Sequence, residues 1–107
     1  MRIKILSSAV EDLHAGRLFY EMQAEGIGAY FFDSLFSDID SLALYAGIHQ
    51  KVFGYHRLLS KRFPYAVYYT LEKDLAVVWR VLDLRRRPDR IRQALEHGRI
   101  GWPVTDH

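Results

Sequence analysis

Residues 65–84, YAVYYTLEKDLAVVWRVLDL, carry the strongest structural pattern in the chain. Two apolar runs, 65–71 and 75–84, flank the polar triplet 72–74. Short runs rich in Val and Tyr that are separated by a tight polar turn are typical of a β-hairpin. Because residues 75–79, LAVVW, are apolar on both faces, we expect the second run to be the central strand of a sheet.

Shorter strand patterns lie before this hairpin. Residues 55–60 alternate with period two, and in residues 1–6 Ile3 and Ile5 alternate with basic side chains. Residues 47–54 separate the helical patterns from the strands, and we expect them to form a loop.

Two helices are predicted between the first strand and the loop. Ser8 and Glu11 have the spacing of a capping box, which places the start of the first helix at Ser8. Residues 26–28, Gly-Ile-Gly, end that helix, and the second covers roughly 29–45. The predicted inward stripe of the first helix is Ala9, Leu13, Gly16, Tyr20 and Ala24.

The predicted fold class follows from this order of elements. It is an α+β domain with an N-terminal strand, an αα-hairpin and a three-stranded antiparallel meander. A short C-terminal helix begins at Pro88. With 107 residues the chain has room for one core, and we assign one domain to residues 1–97 and a tail to 98–107.

Several classes of chemistry are excluded or disfavoured by composition. The chain has no cysteine, which excludes disulfides, Cys-ligated zinc, iron–sulfur clusters and thiol catalysis. No two of the five histidines have the i, i+4 spacing of a helical metal site, so we expect neither a metal nor a cofactor. No apolar run approaches the roughly 18–20 residues of a membrane span, and the first residues lack a signal-peptide core. We expect a cytoplasmic protein with no membrane partner.

Charge is distributed unevenly along the chain. Residues 1–50 carry seven acidic and three basic side chains, whereas residues 51–107 carry six acidic and twelve basic ones. Such a basic half can attract phosphates or an acidic protein.

The basic side chains of the strand region are the candidate binding residues. In an antiparallel meander neighbouring strand ends converge, so we predict that these guanidinium groups gather on one face. The candidates for target or nucleic-acid binding are Arg57, Lys61, Arg62, Arg80, Arg85, Arg86 and Arg87. Arg80 lies within an apolar strand, so it must reach a cleft or a carboxylate such as Asp83 or Glu21.

Residues 62–69, RFPYAVYY, and 85–88, RRRP, identify a family resemblance. They resemble the RelE/ParE toxin superfamily of bacterial type II toxin–antitoxin systems, in its plasmid-stabilisation branch. The other residues that carry the resemblance are Ala9, Asp12-Leu13, Tyr20-Glu21, Gly26-Ile27-Gly28, Phe32, Leu35, Val78 and Val81-Leu82. The resemblance covers roughly residues 3–92.

The resemblance implies a small α+β toxin that a cognate antitoxin neutralises by wrapping over it, near the helical hairpin and sheet. RelE-like members cleave messenger RNA on the ribosome without a metal, whereas ParE-like members bind and poison DNA gyrase. Some related domains lack both activities. The family residues of a nuclease would fall among Arg57, Arg62, Tyr69, Arg80 and Arg85.

The chain departs from the nuclease pattern at three positions. Asp83 stands where the branch commonly has His, Ala66 stands where nucleases usually carry Arg, and Tyr69 is the last tyrosine. Cleavage through the 2′-hydroxyl needs a proton acceptor, and the candidates are His56, Tyr65, Tyr69 and Asp83. We therefore expect a toxin that acts by binding, with a ribosome-dependent endonuclease and an inactive binding domain as the alternatives.

Overall fold

A five-stranded sheet forms the centre of the molecule. The computed structural model describes the backbone of residues 1–105 and the side chains of residues 1–96. The strands are β1 (Arg2–Ile5), β2 (Lys51–Val52), β3 (Tyr55–Leu59), β4 (Tyr65–Glu72) and β5 (Leu75–Asp83). Their order in the sheet is β1-β5-β4-β3-β2, and only the β1–β5 pair is parallel.

Four helices accompany the sheet within the described residues. They are α1 (Ser7–Gln23), α2 (Ile27–Asp40), α3 (Leu42–Tyr45) and α4 (Pro88–Thr105). The α+β class, the N-terminal strand, the helical hairpin and the antiparallel meander are thus confirmed. The helix predicted at Pro88 continues to Thr105, so most of the predicted tail lies within it, and residues 106–107 lie outside the described residues.

One local prediction holds in part and two were wrong. β5 is an interior strand as expected, because β1 adds to its free edge, but the middle strand of the five is β4. The predicted loop 47–54 contains β2, a two-residue strand too short to show periodicity. The capping box at Ser8 is absent, because α1 begins one residue earlier and the Ser8 hydroxyl donates to the Trp79 carbonyl oxygen (2.7 Å).

The sheet is covered on both faces. Leu13 of α1 and Phe31 and Leu35 of α2 are fully buried against Val67 and Tyr69. On the opposite face α4 contributes Ile91 and Leu95 to a second buried cluster, which contains Tyr55, Ala66, Tyr68, Val77, Trp79 and Leu82. Within the part of the chain that the structure describes, no helix has the length and apolar character needed to cross a bilayer.

The hairpin between α1 and α2 depends on two glycines. Gly26 has a φ of 89°, a left-handed conformation that favours glycine. Gly28 is buried against α1, and its N–H donates to Glu21 Oε1 (2.9 Å). A Cβ on Gly28 would lie 2.5 Å from the Arg17 carbonyl oxygen.

We expect Gly28→Ala to destabilise the fold by about 1–3 kcal/mol, because the backbone of α1 must move to accept the methyl group. Urea unfolding measures the change. Gly26→Asn separates crowding from backbone strain, since nothing lies within 4 Å of a Cβ there and its cost comes only from the positive φ, which Asn tolerates better than most residues. A Gly28→Ala protein as stable as the wild type would contradict the close approach.

Candidate functional site

Five of the seven predicted binding residues lie at one end of the sheet. The turn 60–64 and the loop 84–87 meet there, because Leu84 N–H donates to the Pro64 carbonyl oxygen (2.8 Å). Tyr65, the first residue of β4, is paired with Asp83, the last residue of β5. We call this surface the basic end and define it as Lys61, Arg62, Arg85, Arg86 and Arg87, all of which are exposed.

The cations of the basic end differ in their partners. Arg85 binds Asp83 through Nε (2.9 Å) and Nη2 (2.7 Å), and Arg87 binds Asp89 (3.0 Å). The Asp83 carboxylate raises the pKa of the Arg85 guanidinium. Among residues 1–96, no carboxylate forms an ion pair with any of three cations, which are Lys61, Arg62 and Arg86. These three therefore supply the surplus positive charge of the surface.

Arg80 lies apart from the basic end and binds a carboxylate that was not predicted. Its Nε and Nη2 donate to the two oxygens of Asp12 on α1, at 2.7 and 2.9 Å. The expected partners Asp83 and Glu21 are both occupied elsewhere, by Arg85 and by two backbone N–H groups of the α1–α2 turn. Hydrogen bonding to Asp12 raises the pKa of Arg80 despite partial burial.

The short length of β1 explains why Asp12 reaches this position. β1 pairs with β5 only as far as Val78, and the chain then turns into α1. The Val81 N–H on this edge of β5 is therefore left without a strand partner, and it donates to Asp12 Oδ2 (2.9 Å). Arg80 also donates through Nη1 to the Ala94 carbonyl oxygen (3.2 Å), so the pair joins α1, β5 and α4.

Arg57 is also outside the basic end. It lies opposite Tyr68, which in turn lies opposite Arg80, so the three form a row across the sheet. Tyr68 is fully buried, and burial raises its pKa despite the opposing positive charge of the neighbouring Arg57 guanidinium. The structure thus separates this row from the five exposed cations.

Two of the candidate proton acceptors lie at the basic end. Burial, reinforced by the nearby Asp83 carboxylate, raises the pKa of Tyr65 to about 12. Burial alone would raise the pKa of Asp83, but the hydrogen bonds from Arg85 bring it below its ordinary value. Near pH 7 the phenol therefore keeps its proton, and the carboxylate stays ionised but is a weaker base than an ordinary aspartate.

The other two candidates lie with His49 at the opposite end of β4. Tyr69 is fully buried, its hydroxyl accepts a hydrogen bond from Gly47 N–H (2.8 Å), and the same hydroxyl is hydrogen-bonded to His49 Nδ1. His56 stacks on the Tyr69 ring, and its Nδ1 donates to the His49 carbonyl oxygen (2.9 Å). Burial raises the pKa of Tyr69, and burial together with the neighbouring His56 lowers the pKa of His49.

We expect the His49 contact to make folding stability depend on pH. The pKa of His49 is below its ordinary 6.5 in the folded chain, so the unfolded chain binds the proton more readily. The stabilisation is fully present above about pH 6.5, and it is lost as the pH falls from there through the lower pKa of His49 in the folded chain. Urea unfolding between pH 7.5 and 5.5 measures this decline.

His49→Gln should flatten the decline, whereas His14→Gln, at an exposed position on α1, should leave it unchanged. If the free energy of unfolding declined equally with pH in the wild type and in His49→Gln, protonation of His49 would not be the cause of the decline.

Sequence reasoning singled out Tyr20 and Tyr65 separately but did not predict the aromatic cluster beside the basic end. The rings of Tyr20, Phe31, Phe63 and Tyr65 pack with centroid distances of 4.8–6.2 Å. Phe19 remains 45% exposed, and the Arg85 guanidinium lies 5.7 Å from the centre of its ring. These residues come from α1, α2, the β3–β4 turn and the start of β4, so only the folded arrangement brings them together.

Comparison with known proteins identifies the architecture. No family model matches the sequence, and no curated protein matches it. A solved structure does match, that of a chromosomal ParDE TA system from P. aeruginosa. The similarity has a TM-score of 0.72 at 18% identity and covers 78% of this chain and 96% of that one. This chain has a RelE/ParE-like fold.

Within the RelE/ParE-like fold, the three departures from the nuclease pattern have defined surroundings. Asp83 is the ion-pair partner of Arg85, Ala66 is fully buried on the α4 side of the sheet, and Tyr69 is fully buried on the other side. None of the three places at the basic end a side chain that titrates near neutral pH.

Proposed function

We propose that this chain is the toxin component of a bacterial type II toxin–antitoxin module. Its RelE/ParE-like fold, shared with a chain of a ParDE toxin–antitoxin system, supports this role. We further propose that it acts in the cytoplasm by binding and inhibiting a nucleic-acid-processing target such as DNA gyrase, and that a cognate antitoxin neutralises it.

The charge pattern of the basic end is the observation that carries this proposal. Lys61, Arg62 and Arg86 are exposed, and within residues 1–96 none of them is paired with a carboxylate. Unpaired cations on one surface attract an anionic partner and accelerate the encounter with it. They belong to two segments that are joined by a backbone hydrogen bond, so the surface is preformed in the free protein.

The pKa values at the same end favour binding over RNA cleavage. Transfer of a 2′-hydroxyl proton is most efficient when the acceptor titrates near the working pH. Tyr65 titrates far above that range, and the pKa of Asp83 is lowered away from it. The guanidinium groups stay protonated and cannot act as bases.

Controlled expression in a bacterial host tests the proposal. We expect growth arrest with filamentation, loss of negative supercoiling in a reporter plasmid, and intact transcripts. Co-expression of the protein encoded by the adjoining gene should restore growth if that protein is the antitoxin.

Two other results would each replace the proposed mode of action. Ribosome-dependent transcript cuts that disappear in Arg85→Ala would identify a messenger RNA endonuclease. Unimpaired growth at high expression in the native host would identify an inactive binding domain of the same fold.

A further inference from the structure

One buried tyrosine, at the start of β4, has no hydrogen-bond partner for its hydroxyl among residues 1–96. Tyr65 is only 7% exposed, and its ring packs edge-on against Phe31 with the ring centroids 4.8 Å apart. Its hydroxyl forms no hydrogen bond with any other described side chain or backbone group. By contrast, the hydroxyl of the fully buried Tyr55 donates to the Leu95 carbonyl oxygen (3.2 Å). Because a buried phenol normally has such a partner, a group from outside the chain would complete Tyr65.

The Tyr65 side chain lines a small groove between α1 and the end of β5. The groove has a volume of about 210 Å³, and its charged lining residues are Asp12, Asp83 and Arg86. No enclosed polar side-chain atom in the described part of the chain lacks a partner, so the unpartnered hydroxyl is reached from the groove. The volume is below the roughly 300–1,000 Å³ of pockets that hold drug-sized molecules. The groove therefore admits a single functional group.

Both carboxylates of the groove already have partners. The two oxygens of Asp12 accept hydrogen bonds from Arg80 (2.7 and 2.9 Å), and the two oxygens of Asp83 accept hydrogen bonds from Arg85 (2.9 and 2.7 Å). Each ion pair neutralises its carboxylate, so neither aspartate adds a net negative charge. The surplus is the positive charge of Arg86, which is exposed and forms no ion pair within residues 1–96.

The polar groups left available to a ligand are the Tyr65 hydroxyl and the Arg86 guanidinium. Burial raises the pKa of Tyr65 to about 12, so its O–H hydrogen is present near pH 7. A guanidinium donates two parallel N–H bonds and keeps its positive charge. Ala15, Val81 and Leu82 add apolar lining, which lowers the local dielectric and strengthens these bonds. Three donors and one cation select a small anionic acceptor.

We propose that this groove is a binding site for a carboxylate group, with Arg86 as the bidentate donor and the Tyr65 O–H as the third donor. Three donors match the two oxygens of a carboxylate. A phosphate monoester fits less well, because it brings three terminal oxygens and a second negative charge close to Asp12 and Asp83. Such a site does not require the chain to be toxic, so it goes beyond the proposed function.

Titration of the isotope-labelled full chain, followed by NMR at the backbone amides of residues 83–86, tests the proposal. The probes are acetate, glutamate blocked at its amino and α-carboxyl groups, glutamine blocked in the same way, and inorganic phosphate. Acetate and blocked glutamate should shift these signals and reach saturation. Blocked glutamine lacks the charge and phosphate has the wrong shape, so each should bind at least about tenfold more weakly.

The ratio of the two carboxylate affinities identifies the source of the group. Tighter binding of blocked glutamate than of acetate would assign the site to an acidic side chain of another protein. Equal or tighter binding of acetate would assign it to a small-molecule carboxylate. Either result supports a carboxylate site.

Two substitutions with matched controls separate binding from folding. Tyr65→Phe removes an oxygen that has no partner in the described chain, so acetate affinity should fall at least about tenfold while the thermal midpoint stays the same or rises. Tyr55→Phe removes the same atom from a phenol that donates to Leu95, so it should lower the midpoint and keep the affinity. Arg86→Gln should also weaken acetate at least about tenfold. Arg90→Gln, at an exposed cation outside the groove lining, should leave the affinity unchanged.

Three results would overturn the proposal. The first is no saturable shift with either carboxylate. The second is phosphate or blocked glutamine binding as tightly as acetate, which would show that the groove does not select a carboxylate. The third is a Tyr65→Phe protein that keeps its acetate affinity and loses as much thermal stability as Tyr55→Phe, which would give the hydroxyl a structural role. Growth inhibition plays no part in this assay, so its result is independent of whether the chain is toxic.

Discussion

Asp12→Ala is expected to lower the free energy of unfolding by about 3 kcal/mol, although the residue lies outside the apolar core. The carboxylate accepts three hydrogen bonds, two from Arg80 and one from the Val81 N–H. The side chains of Asp12 and Arg80 are only 14% and 24% exposed. Removing the carboxylate leaves a partly buried guanidinium and a backbone N–H with no acceptor.

Urea unfolding measures this loss, and two further variants identify its cause. Glu11→Ala removes the neighbouring acid of the same helix, which is exposed and forms no ion pair among residues 1–96. It should change stability by less than about 0.5 kcal/mol. Adding Arg80→Met to Asp12→Ala should recover part of the loss, because the uncompensated charge is then gone.

A loss in Asp12→Ala no larger than that in Glu11→Ala would mean that the pair does not hold α1 to the sheet. No recovery on adding Arg80→Met would mean that the unpaired guanidinium is not the source of the loss.

The elements that could be predicted from sequence are those whose signal is local. The alternation in residues 65–84 identified β4 and β5, and the glycines at 26 and 28 marked the turn between the two helices. The expected left-handed glycine cap of α1 is not there, because α1 ends at Gln23 and Gly26, with a φ of 89°, is the N-cap of α2. Strand β2 has only two residues, too few for a period to be visible. The position of β5 in the strand order depends on which edge of the sheet β1 joins. The residues of β5 alone do not indicate that edge.

Only those features of the candidate site that follow from the order and direction of the strands could be predicted from the sequence. The convergence of strand ends places Lys61 and Arg62 beside the residues 85–87, because the β3–β4 turn and the end of β5 must be neighbours in a meander. The partner of Arg80 could not be found this way. Asp12 is 68 residues distant, and it meets Arg80 only because β1 stops at Ile5 and leaves an edge of β5 uncovered.

Reversing the three unpaired cations of the basic end is expected to abolish growth inhibition. In Lys61→Glu/Arg62→Glu/Arg86→Glu the surface becomes acidic, and like charges brought together at an interface cost several kcal/mol, so affinity for an anionic target should fall at least about 100-fold. Colony counts after induction measure the effect. The substituted residues are exposed and make no ion pair within residues 1–96, so the thermal midpoint should stay close to that of the wild type.

A matched triple variant separates the position of the charge from its amount. Lys4→Glu/Lys51→Glu/Lys73→Glu gives the chain the same net charge through three exposed lysines that lie outside the basic end, on β1, β2 and the β4–β5 turn. It should remain toxic, because the face that meets the target is unchanged. If both triple variants lost toxicity equally, total charge would be the cause; if both stayed toxic, the target would be recognised elsewhere. Loss in the first variant alone would locate target recognition at the junction of the β3–β4 turn and the end of β5.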